Sequence, residues 1–335
     1  MNLRNDVYYQ SEYTRLYESA DNQRFEFLYE RGQDFFLNIA IKRPIRNIGS
    51  VSLTENYYDL ETPYGYGGFL TNTADVDFIN SALSAYREKC LAESIIAEFI
   101  RFHPFNDFAV KFGSLLDLCA PDRHVVIVDL TLEKDIRWSG YSSTARNLLR
   151  RAQEQLFVLQ STDIDKFRQI YNQTMDRNKA SDFYYFDENY YRSLVSNKNV
   201  ILLEVKQEAT TVAMGFFMFG QEIAHYHLSA NTEDGLHLNA NYLMLDTAFD
   251  LGKEKGCSVF LLGGGRTNDP ADPLLRFKQK FSGLTRDFYL GGKVYNQQKY
   301  NEYVNMWKEQ NPGDERKYFL KYRLGSCHPD RSGGI

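Results

Sequence analysis

Residues 261–281, LLGGGRTNDPADPLLRFKQKF, combine three features that can bind an anion. An apolar run ends in three glycines, Arg266 follows, and a proline-containing loop leads to a short basic segment with Lys278 and Lys280. Glycine lets a ligand approach the main chain, and the N-terminus of a helix attracts negative charge. The pattern predicts an anion-binding strand, turn and helix. The alternative is a plain turn followed by a solvent-exposed basic helix.

Two further clusters could bind a phosphorylated or ring-containing substrate. Arg146 and Arg150 are four residues apart in a helical pattern, so they share one helix face and could clamp a diphosphate. The glycine-rich loop in DLETPYGYGGF displays Tyr64 and Tyr66, which could stack on a sugar or a base. An exposed basic helix and a tyrosine-bearing structural turn are the alternatives.

Histidines in two apolar runs offer candidates for proton transfer. In RFHPF, Arg101 and His103 alternate with Phe102, and His103 could carry a proton or bind an anion. In AHYHLSA, alternation places His225 and His227 on one strand face and Tyr226 on the other. Carboxylates and cysteines are absent at metal-ligand spacing, so we predict a polar cleft wall and no metal site.

Several common catalytic signatures are absent from the sequence. It contains no G-x-S-x-G elbow, no phosphate-binding G-x-x-x-x-G-K-[ST] loop and no kinase signature. G-x-G-x-x-G after a strand is also missing, which disfavours a nicotinamide enzyme.

Hydrophobic periodicity predicts an α/β fold in which one arrangement occurs twice. A helix, a hairpin, a strand, a helix and a strand recur in this order in both halves. Val7–Ala20, Val76–Glu93, Ile164–Met175, Asn189–Val195 and Asn239–Lys255 are the predicted longer helices. We therefore predict two closely packed domains, at 1–145 and 146–325, and a flexible tail at 326–335.

Composition restricts the class of protein. The 335 residues carry a net charge of −5, which disfavours a general DNA-coating surface. Four scattered cysteines without C-x-x-C indicate a reducing compartment. The polar N-terminus is unlike a signal peptide, and no apolar run reaches the roughly 18 residues that span a membrane. We expect a cytoplasmic protein, and peripheral membrane contact is compatible with this prediction.

The order of motifs resembles the FemAB-like branch of the GNAT acyltransferase superfamily. The matching segments lie between about Asp59 and Tyr300, and they include PYGYGGF, RFHPF, ARNLLRRAQEQL, FLLGGGR and LLRFKQKF. The resemblance implies two tandem GNAT-like domains with mixed sheets and an acyltransferase activity. It also implies that Lys278 lies at the reacting centre, and that Arg146 or Arg150 binds a substrate phosphate.

On this basis we expect acyl or aminoacyl transfer to an amine of a cell-envelope precursor, such as a nucleotide- or lipid-linked amino sugar or a peptidoglycan peptide. The donor would be an acyl-coenzyme A or an aminoacyl-tRNA, with no tightly bound cofactor. Lys278 would stabilise the oxyanion, and Asp59 and His227 are candidate bases. The predicted substrate-binding residues are Tyr64, Tyr66, Arg101, His103, Arg146, Arg150, Tyr226 and Arg266.

Two alternatives follow from the segment GLHLNANY, which replaces the glycine-rich coenzyme A loop of ordinary GNAT enzymes. The first is a coenzyme A-dependent N-acetyltransferase with an altered phosphate cradle. The second is a catalytically inactive GNAT-like scaffold that binds a glycan.

Overall fold

The computed structural model describes residues 1–180 and 184–325, so the predicted tail at 326–335 lies outside the described residues. The chain divides into two compact units. Among the described residues, the first unit consists of residues 1–7 and 124–286, and the second consists of residues 8–123 and 287–325. None of the described helices is long and apolar enough to cross a membrane.

The units contain the following elements. The strands are β1 Gln23–Arg31, β2 Asp34–Pro44, β3 Asn47–Ile48, β4 Val51–Ser52, β5 Tyr58–Glu61, β6 Leu70–Thr71, β7 Ile95–Arg101, β8 Leu118–Asp129, β9 Phe157–Ser161, β10 Val200–Gln207, β11 Thr210–Phe219, β12 Ile223–Asn231, β13 Val259–Gly263 and β14 Thr285–Val294. The helices are α1 Ser11–Thr14, α2 Val76–Ala92, α3 Phe108–Phe112, α4 Lys134–Ser139, α5 Ser143–Gln155, α6 Ile164–Arg177, α7 Glu188–Ser196, α8 Glu233–His237, α9 Ala240–Glu254, α10 Pro273–Gln279 and α11 Gln297–Gln310.

In the first unit, β9, β10, β11 and β12 form an antiparallel series. Strand β12 then runs parallel to β13, and β13 is antiparallel to the last residues of β8. A parallel neighbour requires a crossover connection, and the long helix α9 lies between β12 and β13 in the sequence. One face of this sheet packs against α5 and α9.

The second unit repeats this order with its own residues. The hairpin β1–β2 turns at Gly32, whose φ of +66° suits glycine. Strand β2 pairs with β5, β5 runs parallel to β7, and β7 pairs with β14. Helix α2 lies between β5 and β7, as α9 lies between β12 and β13. The predicted α/β class and internal duplication are thereby confirmed.

The last sheet position in each unit is filled by a strand from the other half of the sequence. Strand β8, from the first half, pairs with β13, whereas β14, from the second half, pairs with β7. The units therefore differ from the predicted domains at 1–145 and 146–325. Each unit contains a strand from the other half of the sequence, so one domain boundary in the sequence cannot separate the two units.

Most of the predicted elements are present with small shifts at their ends. The predicted helix at Asn239–Lys255 is observed as Ala240–Glu254, for example. The exception is Val7–Ala20, which forms only short turns of 3₁₀- and α-helix, namely Val7–Tyr9, Ser11–Thr14 and Arg15–Tyr17.

Candidate functional site

A gap opens between β12 and β13 in the first unit. The two strands pair only from Ile223 opposite Val259 to His225 opposite Leu261. Just beyond this pairing, each of the two strands has a β-bulge where it pairs with its neighbour on the other side, β11 for β12 and β8 for β13. His227 is the extra residue of β12 against β11, and Leu262 is the extra residue of β13 against β8. Bulges bend strands and re-aim side chains, so the two strands separate at this level.

Lys278 lies at this gap. Its Nζ donates a hydrogen bond of 2.7 Å to the carbonyl oxygen of Gly264, just beyond β13. The same Nζ is 5.8 Å from the ring centroid of Tyr226 on β12. Lys278 is only 6% exposed, whereas Lys280 instead donates to the hydroxyl of Tyr242 at 3.1 Å. The structure therefore brings Lys278 and Tyr226, two of the predicted site residues, close together between the two strand ends.

Tyr226 forms part of the wall of this gap. Its ring stacks on Phe217 of β11 with the centroids 5.5 Å apart, and its hydroxyl donates to Ser229 Oγ. Burial raises the pKa of Tyr226 to about 12, although the hydrogen bond to Ser229 lowers this pKa by a smaller amount. Tyr226 therefore stays protonated at neutral pH and can act as a hydrogen-bond donor to Ser229.

Asp272 ties the loop after β13 to helix α10, which carries Lys278. One carboxylate oxygen accepts the N–H groups of Leu274 and Leu275 and so caps the helix. The other oxygen accepts the N–H groups of Arg266 and Thr267 at 3.0 and 3.1 Å. Burial raises the pKa of Asp272, but these bonds outweigh it and lower the pKa. The carboxylate is therefore ionised at neutral pH.

The three glycines before Arg266 contribute to the loop in different ways. Gly263 has a φ of +78°, at the bulge of β13. Gly264 supplies the carbonyl that binds Lys278. A Cβ on Gly265 would lie 2.6 Å from Cγ of Asp272, which is closer than side-chain carbons approach in proteins. The glycines thus shape the loop around Lys278 and Asp272.

His227 is placed on the opposite face of β12 from Tyr226 and Lys278. Its Nε2 lies 2.7 Å from the hydroxyl of Tyr190 on α7. Burial, with a smaller contribution from the charge of His225, lowers the pKa of His227 to about 3. An imidazole with such a pKa is a weak base, so this environment does not support the predicted role in proton abstraction.

The three arginines that were predicted to bind phosphates occupy different positions in the first unit. Arg266 is exposed, and its Nη2 donates to Asn178 Oδ1 at 3.1 Å. The side chain of Arg146 points back to the loop that precedes α5, where its Nη1 donates to the carbonyl oxygens of Ser139 and Tyr141. Arg150 is exposed on the next turn of α5. Arg146 therefore has a role in holding the loop before α5, independent of any phosphate.

Asp59, the other candidate base, belongs to the second unit and lies among arginines. Its carboxylate accepts from Arg43 Nε at 3.0 Å and from Arg323 Nε at 2.7 Å, and it is fully buried. Burial raises its pKa, but the two guanidinium groups lower the pKa below the ordinary value. A paired carboxylate of this kind accepts protons poorly, which disfavours the predicted catalytic role.

The remaining predicted substrate-binding residues also lie in the second unit. Arg101 is buried and pairs with Glu61 at 2.6 Å. Tyr66 is buried, with its ring edge-on to His103 and Phe288 at centroid distances of 5.6 and 5.5 Å. Tyr64 is half-buried. Tyr66 and His103 thus form a packed aromatic cluster in this unit.

In the second unit the chain itself closes the gap that corresponds to the one at Lys278. Beyond the paired residues of β5 and β7, the N–H of Gly67 donates to the carbonyl of Arg101, and the N–H of His103 donates to the carbonyl of Gly67, both at 2.9 Å. A side chain at Gly68 would collide with Phe102, because its Cβ would lie 2.6 Å from the ring. The PYGYGG loop thus fills the position that stays open between β12 and β13.

The segment before α9 forms the short helix α8, and most of its backbone N–H groups donate hydrogen bonds to acceptors within the same segment. Gly235 donates to Thr232 Oγ1, Leu236 to the carbonyl of Thr232, and Leu238 to that of Asp234, at 2.8 to 3.2 Å. The acidic side chains of Glu233 and Asp234 lie in its first turn. A diphosphate needs N–H donors and is repelled by carboxylates, so this segment is a poor phosphate cradle.

Sequence reasoning missed Asp272, although a signal was present. Asp followed by Pro is a helix start signal, because Asp caps the helix and Pro suits its first position. That signal in ADPLLRF marks the start of α10 at Pro273. The bonds of Asp272 to Arg266 and Thr267 depend on the shape of the loop, which the sequence does not reveal.

Comparisons with known proteins agree with this geometry. Residues 140–279 match the family model of the acetyltransferase (GNAT) domain. The crystal structure of FemX superposes with a TM-score of 0.72 at 14% identity, covering 89% of this chain and 94% of FemX. The C-terminal domain of a candidate lysylphosphatidylglycerol synthetase from Agrobacterium fabrum gives 0.54 at 16% identity, covering 86% and 89%. No curated protein shows significant sequence similarity to this chain.

The matched segment lies within the first unit and includes the gap, Tyr226 and Lys278. Residues 140–279 therefore form a GNAT acetyltransferase domain, and the protein is an acyltransferase. The two structural likenesses, at these low identities, show that its fold is that of FemX and of the synthetase domain.

Proposed function

We propose that this protein transfers an acyl or aminoacyl group to an amine of a cell-envelope precursor, such as a nucleotide- or lipid-linked amino sugar or a peptidoglycan peptide. The observation that carries the proposal is Lys278, a buried ammonium held between the ends of β12 and β13. The FemX-like fold supports the envelope substrate, as does a relative named for lysylphosphatidylglycerol, an aminoacylated lipid. A cytoplasmic location is part of the proposal.

In the proposed reaction the amine nitrogen attacks the donor carbonyl, and the carbonyl oxygen gains negative charge. The Lys278 ammonium donates a hydrogen bond to that oxygen, and the bond from carbon to the leaving oxygen or sulfur then breaks. Removing one such donor from an oxyanion site typically costs roughly 3–4 kcal/mol of barrier. Gly264 and Asp272 keep the ammonium in position by fixing the loop and helix on either side of it.

The attacking amine must lose a proton, and neither Asp59 nor His227 is suited to take it. The leaving alkoxide or thiolate is a base in its own right, so the proton passes to the leaving group through solvent. This route needs no side-chain base, and orientation of the two substrates supplies much of the rate.

The structure of helix α8 favours an acyl donor that has no diphosphate group, because this helix occupies the segment before α9 where such a group would bind. The N–H groups of Gly235, Leu236 and Leu238 are already bonded, and the acidic side chains in the first turn of α8 would repel phosphate. An aminoacyl-tRNA carries its acyl group as a ribose ester and meets this condition, whereas coenzyme A carries a diphosphate. We therefore favour aminoacyl-tRNA as donor and partner, with no tightly bound cofactor.

The proposal is tested by incubating the protein with a nucleotide-linked amino sugar and either aminoacyl-tRNA or acetyl-coenzyme A. We expect amide formation with aminoacyl-tRNA, detected by mass spectrometry, and its loss in Lys278→Ala. Lys280→Ala is the matched control, because it removes the other helix lysine and should retain the activity.

Other outcomes distinguish the alternatives. Amide formation with acetyl-coenzyme A alone identifies a coenzyme A-dependent N-acetyltransferase. Thermal stabilisation by a glycan, with no transfer from either donor, identifies a binding scaffold and contradicts the proposal.

A further inference from the structure

Asp246 is a carboxylate in the buried part of helix α9, and only 2% of the residue is exposed. Its Oδ1 accepts hydrogen bonds from Trp138 Nε1 and from the hydroxyl of Tyr141, both at 2.8 Å. Arg137 Nη2 lies 3.6 Å from the same oxygen, and Lys134 Nζ lies 3.7 Å from the other. All four partners belong to α4 or to the turn that connects it with α5. Asp246 therefore attaches α4 and this turn to α9.

The side chain of Tyr141 is held at both ends. Its hydroxyl donates to Asp246 and accepts from Arg137 Nε at 3.2 Å. Burial, with a smaller contribution from the charge of Asp246, raises the pKa of Tyr141, so the hydroxyl stays protonated and remains a donor. The ring is buried against Phe281, with the two rings edge-on and their centroids 5.3 Å apart. Tyr141 thus connects the Asp246 carboxylate with Phe281.

The turn before α5 also holds the C-terminal end of α10, the helix that carries Lys278. The N–H of Ser142 donates to the carbonyl oxygen of Lys280 at 2.8 Å. Phe281, which contacts the ring of Tyr141, donates its own N–H to the carbonyl oxygen of Lys278 at 3.0 Å. The turn therefore contacts the chain immediately after Lys278.

Helix α10 has only seven residues, so its position depends on what holds its two ends. Asp272 caps the N-terminal end and binds the loop that precedes it. Ser142 and Tyr141 hold the C-terminal end, and Asp246 fixes Tyr141. Because Lys278 lies in the last turn of the helix, a shift of the C-terminal end moves its ammonium relative to the strand gap.

We propose that Asp246 is a positioning residue for Lys278 and acts through Tyr141. Stability alone does not call for a buried carboxylate, because a well-packed apolar side chain of similar volume often stabilises a core as well. A hydrogen-bonded carboxylate instead fixes its partners at defined distances. An oxyanion donor must lie within hydrogen-bond distance of the developing charge, so even a small displacement slows the reaction. The inference rests on the proposed function of Lys278.

The test is acyl transfer by the full chain from aminoacyl-tRNA to a nucleotide-linked amino sugar. Asp246→Ala should lower kcat about tenfold and leave KM within about twofold of the wild-type value, because it displaces the ammonium without removing a substrate contact. Tyr141→Phe keeps the ring against Phe281 and removes only the hydroxyl, so it should lower kcat by a smaller factor.

The same two changes are then made in Lys278→Met. Neither should lower kcat further there, because each acts through an ammonium that this variant lacks. Two further variants complete the comparison. Asp246→Asn keeps an oxygen that accepts from Trp138 and Tyr141, so it should recover most of the kcat lost in Asp246→Ala. Asp250→Ala removes a carboxylate one turn along α9 that also pairs with Arg137, and it should keep the wild-type kcat.

The inference is overturned if Asp246→Ala and Tyr141→Phe lower kcat by the same factors with and without Lys278, since a purely structural contact behaves in this way. Wild-type kcat in both variants overturns it as well, and so does an equal loss in Asp246→Asn and Asp246→Ala. If Asp246→Ala does not fold, Tyr141→Phe decides the question alone.

Hydrogen exchange separates this inference from the proposed function. Asp246→Ala and Tyr141→Phe should both speed amide exchange at residues 278–282, since the C-terminal end of α10 is then held less firmly. Unchanged exchange in this segment contradicts the inference. Wild-type turnover by Lys278→Met contradicts the proposed role of Lys278 instead, and it leaves the exchange result as it stands.

Discussion

At the scale of single residues, burial and hydrogen bonding separate Lys278 from the other candidates. It is held by the carbonyl of Gly264 and faces the ring of Tyr226 at the strand gap. Asp59 is also buried, but two arginines neutralise its charge. The sequence could indicate Lys278, because a short motif carries it. It could not reveal the pairing of Asp59 with Arg323, which lies 264 residues further along the chain.

His227 gives a prediction for pH dependence. Its folded-state pKa is about 3, against an ordinary value of 6.5, because burial disfavours the imidazolium. As the pH falls below 6.5, the unfolded chain binds a proton that the folded protein does not, so stability falls. The slope is at most about 1.4 kcal/mol per pH unit.

His227→Gln keeps a hydrogen-bonding side chain that does not titrate. Urea unfolding between pH 4 and 7 should show a smaller loss of stability on acidification in this variant than in the wild type. Equal pH dependence of the two proteins would show that His227 titrates normally.

At the scale of elements, local patterns predicted most helices and strands, because each long helix buries one periodic face. Helix α6, for example, buries Phe167, Ile170 and Tyr171, as its spacing indicated. The segment Val7–Ala20 had a similar pattern but forms only short turns. The bulges at His227 and Leu262 were not predictable, since they depend on strands that lie elsewhere in the sequence.

The loop between β13 and α10 gives a second prediction. In Gly265→Ala the new Cβ would lie 2.6 Å from Cγ of Asp272, so the loop must move away from the helix. Because that loop carries the Gly264 carbonyl, Lys278 loses its fixed position. We expect kcat for acyl transfer to fall at least about tenfold, equivalent to about 1.4 kcal/mol of barrier, with a smaller effect on KM.

Gly283→Ala is the matched control for this variant. No atom lies within 4 Å of the Cβ position at Gly283, so kcat should stay at the wild-type value. If Gly265→Ala also retained wild-type kcat, the loop would have no part in positioning Lys278.

At the scale of the whole molecule, the sequence predicted the duplication but not the exchange of β8 and β14. Repeated element order is visible in one sequence, whereas strand partners are long-range contacts. The two repeated units also differ in structure at the gap between their parallel strands. The PYGYGG loop closes the gap of the second unit, so we expect the donor to bind only at the first unit.

The two units should also respond to pH in opposite directions. In the second unit, burial raises the pKa of Glu98 to about 7, although Tyr295, Asn38 and Tyr86 donate hydrogen bonds that lower it. A raised folded-state pKa means that stability is complete below the ordinary value of 4.5 and is lost as the pH rises to about 7. This trend is the reverse of the one at His227.

Hydrogen exchange at several pH values can separate the two trends, because it reports each unit individually. In the wild type, protection of β7 and α2 should fall between pH 5 and 7, and Glu98→Gln should remove that fall while leaving β12 unchanged. An identical fall in Glu98→Gln would assign it to another group.

The central claim is that the Lys278 ammonium stabilises the charge that forms at the gap between β12 and β13. Its most direct test is the single-turnover rate of acyl transfer by Lys278→Met, which keeps the length of the side chain and removes the charge. With donor and acceptor both saturating, we predict that the rate falls about 10²–10³-fold while donor affinity stays within about twofold of the wild type. A single-turnover rate equal to that of the wild type would contradict the claim.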